Sequence, residues 1–303
     1  MDVINFSIII PHRNSISLLE RCLSSIPSRD DLQIIIVDDY SEERIQTELK
    51  RLSRKNLHIL YSPENLGAGH ARNLGLNKAI GKWILFADCD DFYESTFNDF
   101  LNNNIDSKAD CIYFSVNSVN SQTLAPSPRN FLYDEYISKF DSNIPRSEDW
   151  ILFHKWEPWN KMISRDLIQK YQLKFDEFTK CNDMMFNIMV SFYAEKIKII
   201  PNHLYCVTYN PGSMTFRRTK PEEFRDCLWA FKKKNVIMHK IGHWRWHMPM
   251  IIQHRFFIKK EGFKSYFKLL IFYIRNYIAM IKEIQKFKSS LKSAVLIPKK
   301  IVD

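Results

Sequence analysis

Glycine is scarce in this sequence of 303 residues, which contains only seven. The first predicted turn between a strand and a helix reads Pro11-His12-Arg13-Asn14 and has no glycine. The chain therefore lacks the glycine-rich fingerprint of dinucleotide-binding proteins at the place where that fingerprint belongs. It also lacks the early glycine-rich loop of nucleotidyltransferases, so both classes of protein are excluded.

Cysteine pairs and long apolar runs are also missing. The six cysteines form no Cys-x-x-Cys pair and no framework spacing, so we expect reduced thiols and a cytosolic setting. No basic segment followed by a signal-length apolar stretch begins the chain, and no apolar run reaches the about 18 residues of a spanning helix. We therefore expect a cytoplasmic protein that is not secreted by the usual route and does not cross a membrane. No nucleic-acid recognition motif is present, so nucleic acid is not an expected partner.

Acidic residues are few near the end of the chain. Residues 217–303 hold 21 Lys and Arg against 6 Asp and Glu, a net charge of +15, whereas residues 1–216 carry −5. This contrast predicts a catalytic domain at 1–216 and a basic helical extension at 217–303. Apolar residues at helical spacing between positions 263 and 288 run beside a lysine stripe, which is typical of a helix lying peripherally on an anionic membrane. A helix that packs on the catalytic domain is the alternative.

Short apolar runs alternate with helical periodicity through the first 116 residues. The runs predict strands at 6–10, 33–37, 57–61, 82–87 and 111–116, with helices such as 18–26 and 45–52 between them. This alternation predicts an α/β fold with a mostly parallel central sheet flanked by helices. The polar stretch at 117–145 contains three prolines and is predicted to be loop and irregular structure.

The densest acidic cluster, Asp88-Cys89-Asp90-Asp91, follows the fourth predicted strand. Carboxylates this close repel one another unless a cation lies among them. Because ligands bind outside the carboxyl ends of strands in open α/β sheets, the cluster predicts a divalent metal that holds a nucleotide diphosphate. The alternative is that Asp91 caps a helix predicted at 95–104, which would require only one of the acids.

Two further strand ends carry candidate ligands. Asp39 ends the second strand and can accept hydrogen bonds from a nucleotide base or ribose. Gly67 and Gly69 allow a helix to begin close to a neighbouring strand or ligand, with Arg72 projecting from its first turns. Tight helix packing is the alternative reason for these glycines, and it applies most readily to Gly75.

Four segments together resemble the nucleotide-binding half of the family 2 inverting glycosyltransferases, which have the GT-A fold: SIIIPHRN, IIIVDDYS, NLGAGHARNLGL and ILFADCDDF. EPWNKMISRDLI and KFDEFTKCNDMMF resemble that family's acceptor-side segments. The resemblance divides the catalytic domain into a nucleotide-sugar half (1–116) and an acceptor-side half (117–216). It implies sugar transfer from a nucleotide diphosphate, usually UDP, to a hydroxyl of a glycan or lipid-linked acceptor, assisted by Mn or Mg.

The resemblance also implies roles for single residues. Asp90 or Asp91 would bind the metal. The nucleotide-sugar site would include Pro11, Arg13, Asp39, Gly67, Arg72, Asp88 and Asp90. Independently of the resemblance, Trp159, with Trp156 and Lys161, is a candidate for the sugar pocket, because aromatic faces stack on sugars. Burial in the core is the alternative for the two tryptophans. Arg217 and Arg218 lie where a loop could close over the diphosphate, and a solvated basic surface is the alternative.

Family members carry an acidic pair before a phenylalanine, and the second acid serves as the base. Here the pair is Asn182-Asp183, so the first acid is missing and Asp183 is the predicted base. Whether Asp176 or Glu177 supplies the missing charge is left open by the sequence. Asp183 has a purely structural alternative as the cap of a helix at 184–194. The corresponding alternative function is a non-catalytic nucleotide-sugar-binding protein of the same fold.

Overall fold

The computed structural model describes residues 3–210, 220–243, 258–259, 262–291 and 299–302. Its strands are β1 (Phe6–His12), β2 (Leu32–Asp38), β3 (Leu57–Tyr61), β4 (Trp83–Phe86), β5 (Phe92–Tyr93), β6 (Cys111–Asn120), β7 (Lys161–Ser164), β8 (Lys196–Tyr209) and β9 (Lys300–Ile301). Its helices are α1 (Ile16–Ser25), α2 (Glu43–Leu49), α3 (Ala68–Lys78), α4 (Phe97–Asn104), α5 (Phe131–Ser138), α6 (Asp149–His154), α7 (Arg165–Lys170), α8 (Met184–Tyr193), α9 (Pro221–Lys240) and α10 (Phe263–Ser290).

All nine described strands form one sheet in the order β3-β2-β1-β4-β7-β6-β8-β5, with β9 beside β8. Strands β1 to β4 pair in parallel, and β6 and β8 are also parallel, whereas β7 and β5 are antiparallel to their neighbours. The predicted α/β fold with a mostly parallel sheet is therefore confirmed. Every residue of β1 and β2 is buried, as expected for strands covered by helices on both faces.

Alternate residues of the central strands enter two different cores. Ile9 and Ile35 contribute to the core on one face of the sheet, whereas Ile8 and Ile34 contribute to the core on the other face. This division follows from the two-residue period of a β-strand. A continuous run of isoleucines thus stabilises both layers, and it holds the carboxyl ends of β1, β2 and β4 at one rigid edge.

The predicted loop at 117–145 is wrong in part. Strand β6 continues to Asn120, a 3-10 turn forms at Pro128–Asn130, and α5 follows it. Tyr133 and Ile137, four residues apart on α5, are both buried. The prolines that suggested irregular structure flank the helix instead of interrupting it.

The basic extension contributes to the core. Leu228, Ala230, Ile237 and Met238 of α9 are fully buried, and β9 pairs in parallel with the start of β8. The division of the chain at residue 216 stays a prediction. No helix within the described ranges is both long and apolar enough to cross a membrane.

A disulfide joins Cys181, just before α8, to Cys227 of α9, with 5.2 Å between their Cα atoms. The expectation of reduced thiols is therefore wrong for these two residues. They lie 46 positions apart, and only the packing of α9 beside α8 brings them together. Cys22, Cys89, Cys111 and Cys206 are free thiols.

Candidate active site

One part of the candidate site is centred on Asp39, which directly follows β2. Its two carboxylate oxygens accept hydrogen bonds from the backbone N–H groups of Leu66 and Gly67, both at 2.9 Å. With its amide oriented to satisfy both neighbours, Asn65 donates to Asp39 Oδ2 at 2.9 Å and accepts from Arg13 Nη1 at 2.8 Å. The fold thus brings Arg13, Asp39 and Gly67 together, at the edge where the buried strand β1 carries Pro11.

The glycines of α3 are explained by contacts within the protein. Gly67 precedes the helix with φ +90°, a conformation that favours glycine. A Cβ on Gly69 would lie 2.2 Å from the Asp176 carbonyl oxygen, and a Cβ on Gly75 would lie 2.4 Å from Ile9 Cγ2. Close packing therefore accounts for Gly69 as well as Gly75, and it brings the start of α3 against the segment that leads to Asp183.

Arg72 joins the two halves of the site. Its side chain is buried, with 5% exposure of the residue. Nη2 donates to Asp88 Oδ1 at 2.7 Å, and Nη1 donates to Asn182 Oδ1 at 3.2 Å. The guanidinium carbon lies 5.4 Å from the centroid of the Phe175 ring. One planar cation thus connects the acidic cluster after β4 with the residue that precedes Asp183.

The three aspartates of the cluster have different surroundings. Asp91 is buried, and its oxygens accept hydrogen bonds from the Thr208 N–H at 2.7 Å and the Tyr205 hydroxyl at 3.1 Å. Asp90 is half-buried, and burial together with the charge of Asp88 raises the pKa of its carboxyl. The capping alternative for Asp91 is wrong, because α4 begins at Phe97 with Thr96 in the N-cap position.

This cluster suits a cation that is shared with a bound ligand. In the parts of the chain that the structure covers, no three Asp, Glu, His or Cys side chains form a ligand set. Magnesium sites commonly use one or two carboxylates and complete the coordination with substrate phosphates and water. Because both oxygens of Asp91 already hold β8, the arrangement favours Asp90 as the ligand. Burial and the charges of Asp90 and Asp88 raise the pKa of the Cys89 thiol, which disfavours a thiolate ligand there.

Asp183 occupies the N-cap position of α8, yet its side chain makes no capping hydrogen bond. The capping alternative is therefore wrong in the geometry of this helix. Burial raises the pKa of the Asp183 carboxyl to about 6, although the charge of Arg72 acts in the opposite direction. A carboxylate with this pKa can accept a proton near neutral pH.

Comparison with known proteins gives the family. The model of the family "Glycosyl transferase family 2" matches residues 7–172. The chain belongs to this family. It is 29% identical over 249 residues to "Glycosyltransferase GlyA" of Streptococcus pneumoniae, a match that covers 78% of this chain and 35% of that protein. It is 27% identical over 231 residues to "Cholesterol galactosyltransferase" of Borreliella burgdorferi, covering 69% and 61%. The chain thus spans about a third to two thirds of the length of these relatives.

A solved structure supports the family 2 assignment at the level of the fold. The chain superposes on Staphylococcus aureus TarS 1–349, solved in complex with UDP-GlcNAc, with a TM-score of 0.62 and 21% sequence identity. The superposition covers 84% of this chain and 71% of that one. The GT-A fold that the motifs imply is confirmed.

This family 2 chain has Asn182 where family members carry an acid, and neither Asp176 nor Glu177 supplies the missing negative charge. Asp176 pairs with Lys233 Nζ at 3.0 Å, and Glu177 pairs with His70 at 3.2 Å. Burial is the main cause of the raised pKa of Asp183, and the carboxylates of Glu157 and, to a smaller extent, Asp88 add to it. Sequence reasoning missed Glu157, although it lies in the EPWNK segment, because the tryptophans are the more conspicuous candidates there.

Trp159 and Lys161 are core residues in this family 2 structure. Trp159 is 5% exposed, and its ring stacks on Tyr205 with centroids 5.5 Å apart. Lys161 is fully buried, and burial lowers the pKa of its ammonium to about 8. The core alternative therefore describes Trp159, and Lys161 is buried as well. Arg217 and Arg218 lie outside the described residues.

Proposed function

We propose that this family 2 glycosyltransferase moves a sugar from a UDP-linked donor to a hydroxyl group of a glycan or lipid-linked acceptor. The observation that carries the proposal is the Arg72 bridge between Asp88 and Asn182. Through it, the acidic cluster and the candidate base lie on either side of one buried cation. The UDP-GlcNAc complex of the structural neighbour TarS supports the choice of nucleotide.

The proposed chemistry is a single displacement at the anomeric carbon. Such a reaction needs a base for the acceptor hydroxyl on one face of the sugar and compensation of the leaving diphosphate on the other. Asp183 takes the proton in this scheme, because its pKa of about 6 keeps it ionised at pH 7.5 while making it more basic than an exposed aspartate. One displacement inverts the anomeric centre.

We propose Mn or Mg as the cofactor, with Asp90 as its ligand and Asp88 beside it. The raised pKa of Asp90 supports this assignment, because a cation would relieve the repulsion between two half-buried carboxylates. When bound, the ion supplies positive charge that offsets the charge of the leaving diphosphate. Asp91 holds β8 in place behind Asp90.

A non-catalytic nucleotide-sugar-binding protein is the alternative, and Asn182 is its main support. In this fold the Asn182 amide has structural partners, since Oδ1 accepts from Arg72 and Nδ2 donates to the Phe178 carbonyl at 3.1 Å. The base Asp183 is retained beside it. These contacts favour the enzyme.

Release of UDP from a panel of nucleotide sugars tests the proposal. The purified chain is incubated with UDP-glucose, UDP-galactose and UDP-N-acetylglucosamine, each with Mn, with Mg and with EDTA. We expect metal-dependent release of UDP from at least one donor. Donor binding without release from any of them would support the binding protein instead.

We further propose that the extension docks the enzyme on an anionic membrane, where its acceptor is assembled. Three hydrophobic residues of α10 are strongly exposed: Phe263 at 70%, Phe267 at 62% and Ile278 at 70%. Leu270, Ile271 and Ile281 are exposed as well, and at 100° per residue all six lie within an arc of about 100°. We call these six residues the apolar stripe.

The other side of α10 packs on the protein. Trp229 Nε1 of α9 donates to Glu283 at 3.3 Å, and Phe287 packs against the core that contains Leu291. The exposed Lys264, Lys282 and Lys286 border the apolar stripe. An apolar face with adjacent lysines matches an anionic lipid surface. The name of the cholesterol galactosyltransferase relative supports a membrane-located acceptor.

A further inference from the structure

The segment that leads into helix α8 is attached to α9 by polar contacts and by a disulfide. We call residues 176–182 the lead-in segment. Lys233 Nζ of α9 lies 3.0 Å from Asp176 Oδ1, and the Thr179 N–H donates to Asp226 Oδ2 of α9 at 3.3 Å. The disulfide joins the same two parts of the chain covalently. Helix α9 therefore determines where the lead-in segment lies.

Cys181 has an unusual backbone conformation within this segment. Its φ is +59°, in the left-handed region, where the Cβ of a residue other than glycine is crowded by the backbone. Local preference opposes this conformation, so it persists only where surrounding contacts impose it. The bond to Cys227 is a covalent contact of Cys181 itself, and it lies closer along the chain to Asp183 than the polar contacts do. Without the bond, we expect Cys181 to move towards a negative φ.

The lead-in segment also contacts the donor side of the site. Asn182 accepts a hydrogen bond from Arg72 Nη1 at 3.2 Å, and its carbonyl accepts one from the Asp176 N–H at 3.1 Å. A Cβ on Gly69 would lie 3.0 Å from Asn182 Cβ, so α3 packs directly on this segment. A change of φ at the preceding cysteine therefore moves Asn182 relative to Arg72 and moves Asp183, the next residue, with it.

The two cysteines of the disulfide differ in their access to solvent. Cys181 is half-buried, whereas Cys227 is 9% exposed. Because thiol–disulfide exchange needs access to the sulfur under attack, a dithiol reductant reacts at Cys181 Sγ. The Sγ–Sγ bond breaks, and Cys227 leaves as a thiolate that takes a proton. The second thiol of the reductant then displaces Cys181, which is protonated in turn, and the reductant ends as a disulfide after giving up two electrons.

We propose that Cys181 and Cys227 are positioning residues for Asp183, and that their oxidation state controls the rate of glycosyl transfer. The intact disulfide holds the lead-in segment so that Asn182 contacts Arg72 and the start of α8 is fixed. Reduction by a dithiol lets the segment relax, and the reaction slows because the base is misplaced. This inference rests on the proposed glycosyl transfer.

The test uses the full chain in several forms. The wild type is measured oxidised, reduced with dithiothreitol, and reoxidised. One double variant, Cys181→Ser with Cys227→Ser, lacks the bond at nearly unchanged side-chain size. A second, Cys181→Gly with Cys227→Ser, also lacks the bond but places glycine where a positive φ is needed. The control is Cys206→Ser, which removes a free thiol.

Two readouts are needed, and the first does not depend on turnover. Hydrogen exchange followed by mass spectrometry reports on residues 176–187, where the N–H groups of Asp176 and Asn187 donate to the Asn182 and Asp183 carbonyls. Strand β1 is the internal reference, because all its residues are buried. Release of UDP from UDP-glucose, UDP-galactose and UDP-N-acetylglucosamine in the presence of Mn gives kcat and the donor KM.

We expect reduction of the wild type to speed exchange in residues 176–187 and to leave β1 unchanged. The value of kcat should fall by about 10- to 100-fold, since misplacing a catalytic group by about 1 Å has an effect of this size. The donor KM should change by less than about threefold, because Asp39 and Asp88 follow other strands. Reoxidation should restore kcat.

The variants should divide according to the bond. The serine double variant should match the reduced wild type, with or without dithiothreitol. The glycine double variant should keep more activity than the serine double variant, because glycine adopts the left-handed conformation at position 181 without a side-chain clash. Cys206→Ser should respond to the reductant as the wild type does.

Each contrary outcome overturns a different statement. Equal kcat in the oxidised and reduced wild type would reject control by the disulfide and leave glycosyl transfer standing. Faster exchange in β1 as well would make the bond a general stabiliser of the fold. Equal losses in the glycine and serine double variants would reject the left-handed conformation as the link to the base. Faster exchange confined to residues 176–187, with no UDP release from any donor, would reject the transfer reaction and keep the redox-dependent segment.

Discussion

At the scale of single residues, Asp183 has the environment of a base. Asp183→Asn keeps the size of the side chain and removes the proton acceptor, so we expect the transfer rate to fall by about two to four orders of magnitude. Affinity for UDP, measured by calorimetry, should change little. A lower melting temperature with an unchanged rate per folded molecule would contradict this and would favour a structural role.

Loss of a helix cap would lower the melting temperature, whereas we expect Asp183→Asn to leave it unchanged or to raise it. The folded-state pKa of Asp183 is raised from 3.8 to about 6, so the folded protein holds this proton more tightly than the unfolded chain does. Ionisation therefore disfavours the folded state as the pH rises through this window. At pH 7.5 the variant should melt at an equal or higher temperature than the wild type.

The pH dependence of turnover follows from the same group. Only the ionised carboxylate can accept a proton, so kcat/KM should be constant above about pH 7 and fall tenfold per pH unit below an apparent pKa of about 6. A stopped assay across pH 5 to 8.5 measures this limb. A profile that stays flat down to pH 5 would show that Asp183 is not the titrating base.

Asp90→Asn and Asp91→Asn form a matched pair of variants that tests which aspartate binds the metal. Asp90→Asn should nearly abolish Mn-dependent UDP binding and turnover without lowering the melting temperature, because it removes a candidate metal-binding charge from a half-exposed position. Asp91→Asn should instead lower the melting temperature, since both Asp91 oxygens accept hydrogen bonds from β8. Full activity of Asp90→Asn, or wild-type turnover in excess EDTA, would remove the metal from the proposal.

At the scale of elements, α9 is attached to the segment before Asp183 by the Cys181–Cys227 disulfide. Replacing both cysteines with alanine should lower the free energy of unfolding by about 2–4 kcal/mol, because the loop in the unfolded chain is no longer constrained. Thermal melting with and without dithiothreitol measures the effect. The reductant should lower the melting temperature of the wild type and leave that of the double variant unchanged; an equal response of both proteins would contradict the bond.

Helix α5 shows why local pattern was insufficient in the acceptor-side half. Its sequence is short and lies between prolines, so propensity favoured a loop. The helix forms because Tyr133 and Ile137 bury their side chains and because Asp134 accepts a hydrogen bond from Ser115 of β6 at 2.6 Å. Tertiary contacts of this kind override weak local preference.

At the scale of the whole molecule, membrane docking can be tested by removing the apolar stripe on α10. Phe263→Ser, Phe267→Ser and Ile278→Ser combined should strongly reduce co-sedimentation with vesicles containing anionic lipid, because they remove most of the exposed apolar area. Binding of the wild type should weaken as salt is raised, since the lysine contribution is screened. Truncation near residue 216 is a poor test, because α9 and β9 belong to the core and the sheet.

Two controls accompany that measurement. Neutral vesicles of the same size report the contribution of charge, and Lys55→Gln, an exposed lysine distant in sequence from α10, reports the effect of losing one charge elsewhere. Equal sedimentation of the wild type and the triple variant, or no preference for anionic over neutral lipid, would make the stripe unrelated to membranes.

The sequence by itself determined the parallel part of the sheet and the residues at its edge. Strong apolar runs specify buried strands, and the order of strands and helices restricts their connections. Asp39, Asp88 and Asp90 could therefore be placed at strand ends from local pattern alone, and the combination of motifs indicated the family.

Only the tertiary structure decided how these residues act on one another. The Arg72 bridge and the Cys181–Cys227 bond join segments that lie far apart along the chain, so no local pattern contains them. Burial also depends on tertiary packing, which places Trp159 in the core and raises the pKa of Asp183. The same packing lets β8 donate a hydrogen bond to Asp91. Local composition specifies which elements form, whereas distances and desolvation arise only when the elements pack.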